Sequence, residues 1–160
     1  MRLALELLVE KYQKNVFIAA YNICKNTADV NDIVQDVFLQ YYILAHKQFT
    51  DEENIRAWLL RVAINKAKDC TRSYWRRNKI SLDEFETDIP FEEPEEMLLF
   101  QTVMRLPEKY RVVIHLFYYE EYSVREISKI LKISESGVKM RLSRGRSFLK
   151  NYLTGEVNHE

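Results

Sequence analysis

The chain is predicted to be all-α, built as two small helical domains joined by an acidic linker. Three observations predict this. Apolar residues recur at helical spacing along most of the 160 residues, and β-type alternation is scarce. Only three Gly and three Pro punctuate the chain, which leaves few turns. Charge is blocked rather than evenly spread. Residues 1–80 carry 13 basic and 9 acidic side chains, 81–104 carry none and 8, and 105–160 carry 11 and 7. The formal net charge of zero therefore hides two basic modules on either side of an acidic stretch.

Taken in order, Leu3–Lys25 form an amphipathic helix with Leu5, Leu8, Tyr12, Val16, Ala19 and Ile23 on one side. Asn26-Thr27-Ala28-Asp29 break it, and a second helix follows to about His46. On that helix Asp29, Asp32, Asp36 and Gln40 share one face, and Val30, Ile33, Val37 and Tyr41 share another. The acidic stripe is either solvated surface or a docking face for a basic partner. After the polar break Phe49–Asn54, a third helix runs from about Ile55 to Asn78. Its inner side is Leu59, Ala63, Ile64, Ala67, Cys70 and Tyr74, and its outer side is Arg61, Asn65, Lys68, Arg72, Trp75, Arg76 and Lys79. Cations interleaved with an amide and an aromatic can hold phosphates, hydrogen-bond an exposed base and stack on it. Trp58 is assigned to the core, whereas Trp75 is either a packing residue or a base platform.

Residues 81–93, SLDEFETDIPFEE, are acidic, contain Pro90 and show no sustained period, so they read as the linker between domains at 1–80 and 94–153. Pro94 then opens a helix carrying Met97, Leu98, Phe100, Val103 and Met104. Pro107 is placed as the first residue of the next helix, which Val112, Val113, Leu116, Phe117 and Tyr119 drive. Tyr122–Leu149 make two helices around a tight turn. Ser123 and Glu126 have capping-box spacing, and Ser134 caps the second helix. On that helix Val138, Leu142, Gly145 and Leu149 face inward. The missing side chain at Gly145 lets a neighbouring helix approach closely. Ser136, Met140, Ser143 and Ser147 face outward, with Lys139 and Arg146 on one flank and Arg141 and Arg144 on the other. A neutral centre between cations suits a helix in a DNA major groove, with base edges facing the middle and phosphates the flanks. The competing account is a solvated basic face on an ordinary helix pair.

Cys24 and Cys70 lie far apart in sequence, and His46, His115 and His159 are scattered, so neither a metal site nor a cofactor is expected. Free thiols point to a reducing cytoplasm. The start MRLALELLVEKY is too charged for a signal peptide, and no apolar run approaches about 18 residues, so no membrane insertion is expected. No nucleophile–base or metal constellation points to an enzyme or a small-molecule substrate.

Three stretches together carry a resemblance: ADVNDIVQDVFLQYY at 28–42, NIRAWLLRVAINKAKDCTR at 54–72, and LPEKYRVVIHLFYYEEYSVREISKILKISESGVKMRLSRGRSFL at 106–149. The chain resembles the extracytoplasmic-function (ECF) group of sigma factors within the sigma-70 family. The resemblance implies a bacterial initiation factor that binds core RNA polymerase and promoter DNA, commonly under an anti-sigma factor. Its first domain is similar to region 2, where the acidic helix docks on the polymerase clamp helices. By position this implicates Asp32, Gln35, Asp36 and Phe38. The third helix and the loop before it would read and open the −10 element through Asn54, Arg56, Arg61, Asn65, Lys68 and Arg72. The second domain is similar to region 4 and would read the −35 element with Lys139, Met140, Ser143 and Arg144. Ser136 belongs to the same face, and Arg141 and Arg146 lie near phosphates. Two departures stand out: family members often have a basic or polar residue where Met140 sits, and commonly Ala where Gly145 sits. Met140 suits apolar contact, for example with a thymine methyl. A stand-alone helix-turn-helix regulator is the main alternative, but it leaves 28–72 unexplained. An adaptor that binds only protein through the acidic helix is another.

Overall fold

Seven α-helices and one π-helical turn are present among the described residues, with no strand. The computed structural model describes residues 1–78 and 94–155, with side chains over 1–73 and 97–155. The acidic segment 81–93 and Lys79 lie outside the described residues, as do the side chains of Tyr74, Trp75 and Arg76. Contacts group the chain into two units, Met1–Asp88 and Ile89–Glu160.

The first unit packs α1 (Leu5–Cys24), α2 (Thr27–Ile43) and α3 (Glu52–Asn78) around one core. Leu8, Val16 and Ala19 of α1 meet Val30, Ile33 and Val37 of α2 and Leu59, Ala63, Ile64 and Ala67 of α3, all buried. Leu5, expected on the inner side, is only half-buried. The helix ends differ from the expected ones for local reasons. Asn26 is a cap rather than part of a break, since its side chain accepts from Asp29 N at 2.9 Å and α2 starts at Thr27. Likewise Asp51 accepts from Asn54 N at 2.9 Å, so α3 starts at Glu52, not Ile55. α2 ends at Ile43, short of His46, where Arg2 donates to the carbonyls of Tyr41 at 2.6 Å, Leu44 at 3.0 Å and Lys47 at 2.7 Å. The guanidinium helps satisfy the helix end, where Leu44 O also accepts from Lys47 N at 3.0 Å, and lies 4.1 Å over the Tyr41 ring. Trp58 is in the core as expected, packed with Tyr41 and Phe49.

The second unit holds α4 (Pro94–Val103), α5 (Glu108–Ile114), a π-helical turn at His115–Tyr119, α6 (Val124–Leu131) and α7 (Glu135–Thr154). Pro107 is the cap of α5 rather than its first residue. Arg111 is buried and donates to Leu106 O at 2.9 Å, bracing the α4–α5 turn. Burial pulls its guanidinium down to about 10, which leaves it charged at neutral pH. Leu98 and Tyr119, expected to drive packing, are exposed. Gly145 does permit a close approach: a Cβ there would stand 2.8 Å from Ile114 Cγ1 on α5. That contact seats α7 against α5 and presents the opposite side of α7 outward.

Candidate nucleic-acid interface

The helix-turn-helix forms because both of its starts are capped. Ser123 Oγ accepts from Glu126 N at 3.1 Å and Glu126 Oε1 accepts from Ser123 N at 3.1 Å, a closed capping box. Lys132 adopts the left-handed conformation that ends α6, with φ 56°. Ser134 Oγ then accepts from Gly137 N at 3.0 Å to start α7. Ile127, Ile130, Val138 and Leu142 are buried between the helices. The outward row is exposed along its length at Ser136, Met140, Ser143 and Ser147. Met140 has 49% of its surface open, a high figure for an apolar side chain in the middle of a helix.

The cations around that row are not equivalent. Lys139 is exposed, and Arg141 is partly covered. Arg144 is exposed and hydrogen-bonds the Tyr110 hydroxyl, which holds that phenol below its ordinary range. Arg146 donates to Tyr118 Oη at 2.5 Å and lies 5.5 Å over the Phe117 ring. Arg146 is thus held by the π-helical turn rather than free to swing, so Tyr118 joins this face although nothing in the sequence marked it.

On α3, Asn54, Arg61, Asn65, Lys68 and Arg72 fall in one stripe at about 100° per residue. Asn54, Asn65 and Arg72 are exposed, and Arg61 and Lys68 are partly covered. The Arg72–Asp69 pair at 3.8 Å is largely solvated and leaves Arg72 available. Two of these placements need correction. Asn54 lies in the first turn of α3, not in a preceding loop, because Asp51 caps the helix. Arg56 lies about 200° round the helix from Asn54, at about 100° per residue. It pairs with Glu53 at 3.1 Å, on the side where Lys11 and Tyr12 of α1 meet Glu52. Tyr12 donates to Glu52 at 2.5 Å; burial first, and then this bond, push its phenol up. Lys11 and then Tyr12 hold the Glu52 carboxyl below its usual value. Arg56 therefore pairs within the first turn of α3, beside the α1–α3 tie and off the stripe.

The outer face of α2 carries Asp32, Gln35 and Asp36, all exposed. Phe38, grouped with them on sequence, is 6% exposed and lies in the core with Val34 and Val37. Its place on the surface is taken by residues that the sequence analysis missed. Leu39, Tyr42 and Ile43 are 53%, 65% and 66% exposed. They continue the Asp32–Asp36 row at spacings of three and four. The signal was available: these apolar residues fall outside the inner register set by Val30, Ile33, Val37 and Tyr41. Neighbouring exposed apolar residues on one helix face mark an interaction surface.

Residues 8–79 match the Sigma-70 region 2 family and residues 96–149 match Sigma-70, region 4. The sigma-E factor of Escherichia coli, an ECF RNA polymerase sigma factor, is 30% identical over 92% of this chain and 85% of its own. The chain belongs to the ECF sigma factors of the sigma-70 family. SigM of Bacillus subtilis is 27% identical over 99% of this chain and all of its own length. Among solved structures, CnrH, in complex with the cytosolic domain of CnrY, is 27% identical with a TM-score of 0.66, over 96% of this chain and 89% of that one. RpoE of Bartonella quintana, in complex with the anti-sigma factor NepR, has the same fold, with a TM-score of 0.78 over 93% of this chain and 96% of that one at 17% identity. An ECF sigma factor directs core RNA polymerase to promoters, so the stand-alone regulator is set aside. No described helix is long and apolar enough to cross a membrane.

One further cluster belongs to no DNA-facing stripe. The expectation of no metal site rested on spacing along the chain. In the fold, ligand atoms of Cys24, Asp29 and Cys70 lie within 4.8 Å of one another. Burial, reinforced by Cys70, pushes the Cys24 thiol up to about 12.

Proposed function

We propose that this sigma factor divides its work among three helix faces, in domains at 1–80 and 94–153 with 81–93 between them. The α2 row Asp32, Gln35 and Asp36, extended by Leu39, Tyr42 and Ile43, docks on core RNA polymerase, with an apolar centre beside acidic rim residues. The α3 stripe of Asn54, Arg61, Asn65, Lys68 and Arg72 engages the −10 element. There it would favour the opened strand by binding unstacked bases better than duplex. On α7, Lys139, Met140, Ser143 and Arg144 face the −35 bases. Ser136 and Arg141 border them, and Arg146 meets a phosphate from its fixed position on Tyr118.

One observation carries this reading. α7 exposes a neutral row between cations, on a helix seated by Gly145, while α2 of the same chain exposes an acidic and apolar row. Promoter affinity comes from linking the two DNA contacts, on α3 and α7, through the polymerase. The protein supplies positioning and carries no catalytic chemistry of its own. It acts in the cytoplasm, where polymerase and promoters are. One structural neighbour is a sigma factor in complex with an anti-sigma factor, and we extend anti-sigma control to this chain. Purified protein added to core polymerase should start transcription at a defined subset of promoters. Folded protein that fails to do so with its cognate core would overturn the proposal.

A further inference from the structure

We infer that Cys24, Asp29 and Cys70 form a binding site for a thiophilic divalent cation of the zinc class, with water in the fourth position. The ligands come from three helices: the last residue of α1, the first turn of α2 and the distal half of α3. The two Sγ atoms are 3.9 Å apart although 46 residues separate them in sequence. Two sulfurs held about 2.3 Å from one zinc at the tetrahedral angle stand about 3.8 Å apart. The pair therefore already has the spacing of one edge of a zinc tetrahedron. A carboxylate oxygen of Asp29 lies within 4.8 Å of both sulfurs. The thiolate–carboxylate edge of such a tetrahedron is about 3.5 Å, so binding would draw the carboxylate inward. Both cysteines are half-buried, so the site is sheltered yet open to an entering ion.

Binding exchanges two thiol protons for one cation, giving two thiolates and one carboxylate on a divalent ion and releasing two protons. A disulfide is the other chemistry open to a cysteine pair. It needs the sulfurs to close from 3.9 Å to about 2.05 Å and to lose two electrons to an oxidant, and it makes no use of the carboxylate beside them. The convergence of a third, harder ligand is what favours the metal. The consequence rests on the function proposed above: Cys70 sits between Lys68 and Arg72, so a bound ion would brace the −10 stripe against the α1–α2 corner. The site itself does not depend on that reading.

The test is a cobalt(II) titration of the reduced, full-length protein. A near-ultraviolet thiolate-to-cobalt charge-transfer band and tetrahedral d–d bands should saturate at one ion per chain. Zinc should abolish them, with two protons released per ion bound. Cys24→Ser and Cys70→Ser should each lose the charge-transfer band. Asp29→Asn should keep the band but weaken cobalt binding at least tenfold, because both thiolates remain. Zinc should raise the thermal midpoint followed by tryptophan fluorescence in the wild type, by less in Asp29→Asn at the same zinc concentration, and in neither Ser variant. A titration without the charge-transfer band would overturn the site, since histidine or carboxylate ligation elsewhere gives none. So would a band that survives either Ser variant, or two thiols titratable in reduced protein that form a disulfide but take up no cobalt.

Discussion

Gly145→Ala should destabilise the C-terminal unit, against the general rule that alanine strengthens a helix. On propensity alone the change gains about 1 kcal/mol. The new Cβ, however, would lie 2.8 Å from Ile114 Cγ1, 3.1 Å from its Cδ1 and 3.6 Å from Tyr110 Cβ. Ile114 is buried and branched at Cβ, so it has little freedom to swing the contact aside. Overpacking of this kind costs about 1–3 kcal/mol, and the balance is a loss of up to about 2 kcal/mol. Both tryptophans lie in α3, so tryptophan fluorescence follows the N-terminal unit while far-ultraviolet circular dichroism follows both. In chemical unfolding, only the dichroism component of the C-terminal unit should shift. Ile114→Ala removes both close atoms. In that background Gly145→Ala should turn neutral, or stabilising by up to about 1 kcal/mol. A raised midpoint for Gly145→Ala in the otherwise wild-type protein, or a cycle with no coupling, would refute the reasoning.

Leu39→Asp and Asp36→Lys should each weaken binding to core polymerase by about 30-fold or more in a competition assay, with unfolding midpoints unchanged. Phe38→Ala should instead cost about 3–5 kcal/mol of stability, because its ring is core. Lys139→Ala should change −35 preference in transcription with holoenzyme assembly intact; equal damage to assembly would remove the division of labour. Arg2→Ala should lose about 1.5–3 kcal/mol in the tryptophan-detected transition, as it removes a charged donor shared by the carbonyls of Tyr41, Leu44 and Lys47. Burial pulls the imidazole of His115 from its ordinary 6.5 down to about 3, although Glu120 Oε1 lies 3.8 Å from Nε2. The folded state therefore resists protonation that the unfolded state accepts. Stability is full above about pH 6.5 and falls as pH drops toward 3, by about 2 kcal/mol from pH 6.5 to about pH 5. His115→Phe should flatten that slope in dichroism-detected unfolding.

What could be read from the residues was local. The Ser123–Glu126 box, the Ser134 cap and the inner row Val138, Leu142 and Gly145 follow from spacings within a few residues, and each has a counterpart in the structure, whereas Leu149, read as the end of that row, is only half-buried. Helix ends were less legible. The end of α2 is completed by Arg2, and the start of α3 by a cap that looked like part of a loop.

The sequence by itself determined that the chain is helical, that its charge is divided, and that a helix-turn-helix follows an acidic-faced helical module. Helical period, capping and net charge are properties of short stretches, and no partner segment is needed to express them. The tertiary structure alone decided which side of each helix remained free. It buried Phe38 and left Leu39 outside, brought Tyr12 of α1 to Glu52 of α3, and fixed Arg146 on Tyr118. It also brought Cys24 to Cys70 beside Asp29. These outcomes depend on how the helices of each unit share its core, since the packing angle and register of each helix select its exposed face.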